Sequence, residues 1–123
     1  MRQIIHSKVK DEFLDKVTKK VKALKVGDPL DPTSNMGSMI SKKHLATVDG
    51  FIQKGIDEGA KLLFGGVSGK EQKGFYAKPT LFDDLKENMT IAQEEIFGPV
   101  LGVLTINSDE EALKIASNSK YGL

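Results

Sequence analysis

The chain has 123 residues, no cysteine, and eighteen basic against seventeen acidic side chains, for a formal net charge of +1. At that length it can build one hydrophobic core, burying roughly two-thirds of the surface its unfolded form exposes. The charge balance argues against nucleic acid or an anionic membrane as partner, and without a thiol these residues form no disulfide framework, thiolate metal site or cysteine nucleophile. Met1 to His6 is too short and too quickly charged to read as a signal peptide. No apolar run approaches the roughly 20 residues of a membrane span. A cytoplasmic protein is the resulting expectation.

Residues 2–6 predict a short strand. Ser7 is the expected cap of a first helix, in which Val9, Phe13, Leu14, Val17, Val21 and Leu24 keep helical spacing. Asp11 and Glu12 are expected in its first turn, and Lys19, Lys20, Lys22 and Lys25 towards its end, a distribution that complements the helix dipole. Gly27 is the expected stop, and Asp28 to Gly37 has loop composition. Ser41 caps a second predicted helix with a stripe of Leu45, Val48, Ile52 and Ile56, widened by Phe51 and ended by Gly59. Its internal Gly50 and Gly55 suggest close packing against a neighbour.

Lys61 to Phe64 predicts a strand, and Gly65 to Gly74 a surface loop whose glycines lack the spacing of a phosphate-binding fingerprint. Phe75 to Phe82 reads as a further strand that Pro79, having no amide proton, assigns to an edge, a bulge or a crossing. Asp83-Asp84 is the following turn. Val100 to Ile106 is nearly continuous in apolar residues, as a strand covered on both faces would be. Ser108 and Glu111 form a capping box ahead of a last helix ending near Asn118. Strands alternating with helices predict an α/β architecture of layered strands and helices.

The stretch that carries chemistry is Thr90-Ile-Ala-Gln-Glu-Glu-Ile-Phe-Gly-Pro-Val100. Thr90 and Gln93 suggest a capping box, and Gly98-Pro99 ends the helix almost at once. Glu95 and Phe97 are thereby presented on a turn at the mouth of a strand. A carboxylate can accept from two neighbouring sugar hydroxyls, and a phenyl face can pack on a heterocycle. On these eleven residues alone, a solvated acid and a core-plugging aromatic explain the pattern more simply.

The string Glu94 to Val100 resembles the cofactor-contacting motif of the NAD(P)-dependent aldehyde dehydrogenase superfamily. Gly27-Asp28-Pro29-Leu30-Asp31-Pro32, Gly37, Glu58-Gly59-Ala60-Lys61, Gly65-Gly66, Gly74-Phe75-Tyr76, Pro79-Thr80 and Tyr121-Gly122-Leu123 follow the family's order, so the resemblance spans nearly the whole chain. It implies oxidation of an aldehyde to a carboxylic acid with NAD or NADP, by a cysteine nucleophile and with a glutamate base. It also implies that Glu95 binds the nicotinamide ribose and that Phe97 packs beside the nicotinamide. Arg2 aligns with an arginine just after the family's nucleophile. The expectation is therefore a single partial catalytic domain over residues 1–123, with the dinucleotide-binding domain, nucleophile segment and C-terminal part outside it.

Such a piece, lacking a thiol, is expected to be inactive alone and to bind cofactor weakly. No catalytic residue and no metal ligand is assigned: His6 and His44 have no ligand partners at metal spacing, and the adjacent Glu94 and Glu95 would not project to one point. Family resemblance also implies a homo-oligomer. Two other readings stay open, a truncated non-catalytic module that self-associates and a piece of a semialdehyde or acylating dehydrogenase. The choice of aldehyde, and NAD against NADP, is not encoded in these residues.

Overall fold

In chain order the elements are β1 (Arg2–His6), α1 (Ser7–Lys22), α2 (Lys42–Asp57), β2 (Lys61–Phe64), β3 (Thr80–Asp83), α3 (Thr90–Gln93), β4 (Val100–Ile106) and α4 (Asp109–Ser117). The structure, a computed structural model, describes residues 1–69 and 74–121. Residues 70–73 of the expected Gly65–Gly74 loop and the terminal Gly122-Leu123 lie outside the described residues. The four strands form one sheet in the order β1-β4-β3-β2. β4 is parallel to both neighbours, β1 and β3, while β2 pairs antiparallel with β3.

The apolar run of β4 takes the interior place its composition calls for. Val100, Leu104 and Ile106 share one face by the two-residue period and enter the same core as Val48 and Ile52 of α2 and Phe82 of β3. Val103, on the other face, is also fully buried. Gly102 has a packing reason: a Cβ there would lie 2.4 Å from Leu85 Cδ2, so the strand is thinned to admit Leu85. The architecture is α/β, as the element pattern predicts.

Several local expectations are corrected. α1 is capped by His6, whose Nδ1 accepts from the Lys8 amide, while the Ser7 hydroxyl donates to Asn107 Oδ1. With the helix beginning at Ser7, Asp11 and Glu12 fall beyond its first turn. It ends at Lys22 with Ala23 as cap, so Gly27 is no stop and Lys25 is outside; the chain instead forms a bridge between Val26 and Met36. Of the two helical glycines, Gly55 lies against Ile91, but Gly50 has nothing within 4 Å of an added Cβ.

The strand expected over Phe75 to Phe82 is confined to Thr80–Asp83. Pro79 sits just outside it, which frees β3 to be an interior strand rather than an edge, and the register shift falls opposite, between Leu62 and Phe64 of β2. Gly65, at φ +84, passes so close that a Cβ would lie 2.2 Å from the Pro79 carbonyl oxygen. Ser41, Ser108 and Gly59 do the work expected of them: Ser41 Oγ accepts from His44 N, Ser108 Oγ from Glu111 N, and Gly59 follows the α2 cap at φ +89.

Candidate functional site

Thr90 does not cap α3. Met89 holds the cap position without a side-chain bond, and the acceptor comes from the end of α2 instead. Glu58 takes the Thr90 amide on Oε2 and the Thr90 hydroxyl on Oε1, each at 2.6 Å. Those bonds, the hydroxyl's above all, hold the Glu58 carboxyl below the ordinary carboxylate range against the opposing effect of burial. Gln93 Nε2 donates to the Glu87 carbonyl rather than reaching back to Thr90.

After this single turn the chain is extended at Glu94 and then folds tightly. The Gly98 amide donates to the Ile96 carbonyl at 2.9 Å, the Val100 amide to the Gly98 carbonyl at 2.8 Å, and the Thr80 amide of β3 to the Pro99 carbonyl at 2.8 Å. Glu94 and Glu95 both line one cleft but are held differently. Glu94 is tied down: Lys120 Nζ donates to Oε1 at 2.6 Å and the Tyr121 hydroxyl to Oε2 at 2.8 Å. Lys120 first, then Tyr121, keeps the Glu94 carboxyl below its ordinary value. Glu95 is exposed and accepts no such hydrogen bond among the described residues.

Phe97 is no core plug, being 76% exposed. The core place beside it belongs to Val48 of α2, which lies against Gly98. Glu95 and Phe97 instead stand on the rim of a cleft of about 310 Å³ that also includes Met1, Arg2, Glu94 and Tyr121. Arg2 is held in its lining by donating from Nη1 to the Ala92 carbonyl at 3.0 Å and from Nη2 to the Ala116 carbonyl at 3.4 Å. Burial lowers the Met1 ammonium from its ordinary value, and the neighbouring Glu95 carboxylate works against that shift. An exposed carboxylate and an exposed aromatic face lining one cleft, on a backbone fixed by close-range hydrogen bonds, suit a ligand that joins a sugar diol to a flat ring.

The structure thus brings Glu95 and Phe97 to one rim and adds Arg2, Glu94 and Tyr121 to the same cleft. His44, assigned no role from sequence, donates from Nε2 to the Phe97 carbonyl. Its contact spans 53 positions, which no local spacing rule reaches. Among the described residues no group of three or more His, Cys, Asp or Glu side chains could hold a metal ion. No described helix is long and apolar enough to cross a membrane.

The model of the aldehyde dehydrogenase family matches residues 1–123. A relative from Staphylococcus saprophyticus, provisionally named an aldehyde dehydrogenase, is 48% identical over 124 residues, covering 99% of this chain and 26% of its own length. The solved Mycobacterium tuberculosis aldehyde dehydrogenase complexed with NAD+ superposes with a TM-score of 0.93 at 46% identity, over 99% of this chain and 26% of that one. An NAD+ complex of a Bacillus cereus aldehyde dehydrogenase gives 0.94 at 39%, over 99% and 25%. The chain therefore spans about a quarter of the length of the relatives it matches. With every residue inside the family model and solved relatives superposing on the whole sheet, the chain belongs to the aldehyde dehydrogenase family.

Proposed function

We propose that residues 1–123 are an internal, partial catalytic domain of an aldehyde dehydrogenase, and that Glu95 and Phe97 hold the nicotinamide end of NAD+ or NADP+. The observation that carries this reading is the pairing of an exposed carboxylate with a 76% exposed phenyl ring on one restrained turn, both lining one cleft. Exposing an aromatic ring to water forfeits apolar burial of roughly 2 kcal/mol, which a ligand packing on it would recover. In this role Glu95 accepts from the ribose hydroxyls and Phe97 supports one face of the ring. A bound dinucleotide supplies a hydride acceptor as an aldehyde is oxidised to a carboxylic acid.

The chain contains no cysteine, so a thiol nucleophile has to be contributed from outside these residues. The chain alone is accordingly expected to reduce neither dinucleotide with any of a panel of aldehydes; a rate above the no-protein blank would refute that part. The site itself is tested by grafting residues 1–123 into the frame of the Mycobacterium tuberculosis relative, in place of the segment they match. In the graft, Glu95→Gln and Phe97→Ala should each lower kcat/KM for the dinucleotide by roughly tenfold, the loss expected for one charge-assisted or stacking contact. Unchanged kinetics in both variants would remove the assignment.

Leu30 and Ile40, 89% and 88% exposed, favour an additional reading in which these side chains are covered in an assembly. Light scattering decides it, a strictly monomeric chain counting against self-association.

A further inference from the structure

Phe97 can face the cleft only if its backbone is held in one orientation, and the segment from Glu94 to Pro99 belongs to no helix or strand. Its own bonds, Gly98 amide to Ile96 carbonyl and Val100 amide to Gly98 carbonyl, close two very short loops. They shape the turn but do not anchor it to the body of the protein at Phe97. That anchor comes from α2. His44 Nε2 lies 2.5 Å from the Phe97 carbonyl oxygen, and Val48, one helical turn on, fills the space where a Gly98 Cβ would sit 2.8 Å from Val48 Cγ2.

Residues four apart share a helix face, so His44 and Val48 present a donor and an apolar wall to the same two residues of the turn. A carbonyl cannot donate, so the ring nitrogen facing it must carry the proton. His44 is itself placed firmly, its amide donating to Ser41 Oγ at 3.1 Å in the first turn of the helix, while Val48 is 1% exposed in the core. The imidazole is thus carried by a rigid element and directed at the peptide of Phe97, the exposed aromatic residue of the cleft.

We propose that His44 is a positioning residue: through the Phe97 carbonyl it holds the turn so that the phenyl ring is presented to the nicotinamide end of the dinucleotide. The role rests on the assignment of Glu95 and Phe97 made above. A purely helical role, in which His44 serves only the first turn of α2, would not single out the turn after α3.

The test uses the full 123-residue chain with no dinucleotide present. Amide hydrogen exchange is compared at Gly98, in the turn, at Val100, the first residue of β4 whose amide closes the turn on the Gly98 carbonyl, and at Leu104, deep in β4, for the unmodified chain, His44→Ala and His44→Gln. His44→Ala should speed exchange at Gly98 and Val100 by about five- to tenfold, as expected for loss of one hydrogen bond, and leave Leu104 unchanged. His44→Gln, whose side-chain amide can donate at similar reach, should restore most of the protection. Equal exchange in all three chains, a uniform rise that includes Leu104, or a glutamine variant that behaves like alanine would each overturn the proposal. Because the turn is read directly, this result is independent of the kinetics of Glu95→Gln and Phe97→Ala, and either assignment can fail without the other.

Discussion

The Tyr121 hydroxyl donates to Glu94 Oε2 at 2.8 Å, closing a contact between residues 27 apart and tying the segment after α4 to the turn that bears Glu95 and Phe97. Lys120 reinforces it on the other carboxylate oxygen at 2.6 Å. With both donors in place the Glu94 carboxyl lies below its ordinary value of 4.5. A depressed carboxylate contributes its stabilisation above the unfolded-state pKa and loses it as pH falls through the folded-state value. The tie is therefore expected to be complete near neutrality and to release in acid below pH 4.5. Carbon-detected titration of Glu94 should show a midpoint below the ordinary value, moving upward in Lys120→Met and Tyr121→Phe. A midpoint indifferent to both variants would contradict the assignment.

The cap that Glu58 provides to α3 crosses from one helix to the next. Glu58→Ala should destabilise the chain by about 1–2 kcal/mol in urea denaturation, the usual range for a lost helix cap. Glu58→Gln keeps one acceptor oxygen and should lose about half as much. Equal losses in the two variants would show that the carboxylate's charge, not its pair of acceptors, carries the effect.

Two glycines make opposite predictions. Gly65→Ala places a methyl 2.2 Å from a backbone oxygen at a φ of +84, so the backbone of β3 or the loop must move. A loss on the order of 3 kcal/mol is expected, combining a forbidden conformation with overpacking. Gly50, inside α2 with open space around its Cα, should instead tolerate alanine with a gain of roughly 0.5–1 kcal/mol. Thermal melts of the two variants read both signs.

Asp83 is buried, its side chain 4% exposed, and Lys10 Nζ of α1 approaches its Oδ1 at 3.1 Å while also meeting Asp84 Oδ1 at 2.6 Å. The Asp83 contact is a close ion pair without a well-directed hydrogen bond to that oxygen. Burial disfavours the Lys10 charge, but its hydrogen bond to Asp84 and the attraction of the two carboxylates outweigh this and hold the ammonium above its ordinary pKa. Lys10→Met strands the buried acid and should cost about 2–4 kcal/mol, of which Lys10→Met with Asp83→Leu should recover a large part. Additive losses in the double variant would show that the two groups do not act as a pair.

Where a physical signal is local, the amino-acid order alone was enough. The strand bounds of β1, β2 and β4, the Ser41 and Ser108 caps, and the interior place of β4 all rest on spacings within a few residues or on one continuous apolar run. The choice of Glu95 and Phe97 as site candidates rests on one eleven-residue stretch and a family resemblance, and their common place on a cleft rim needed coordinates. Short-range rules went astray at the starts of α1 and α3. In each case a long-range contact displaced the expected local cap: Ser7 is drawn to Asn107, leaving the neighbouring His6 to cap α1, and Glu58, 32 residues away, serves α3. Only the folded chain decides that Phe97 is exposed rather than buried, because Val48 takes the core position beside Gly98. Only it decides that His44 and Tyr121 secure the two sides of one turn. Hydrogen bonds between distant residues leave no periodicity in the sequence: what sets them is where rigid helices and strands bring side chains once the core has packed.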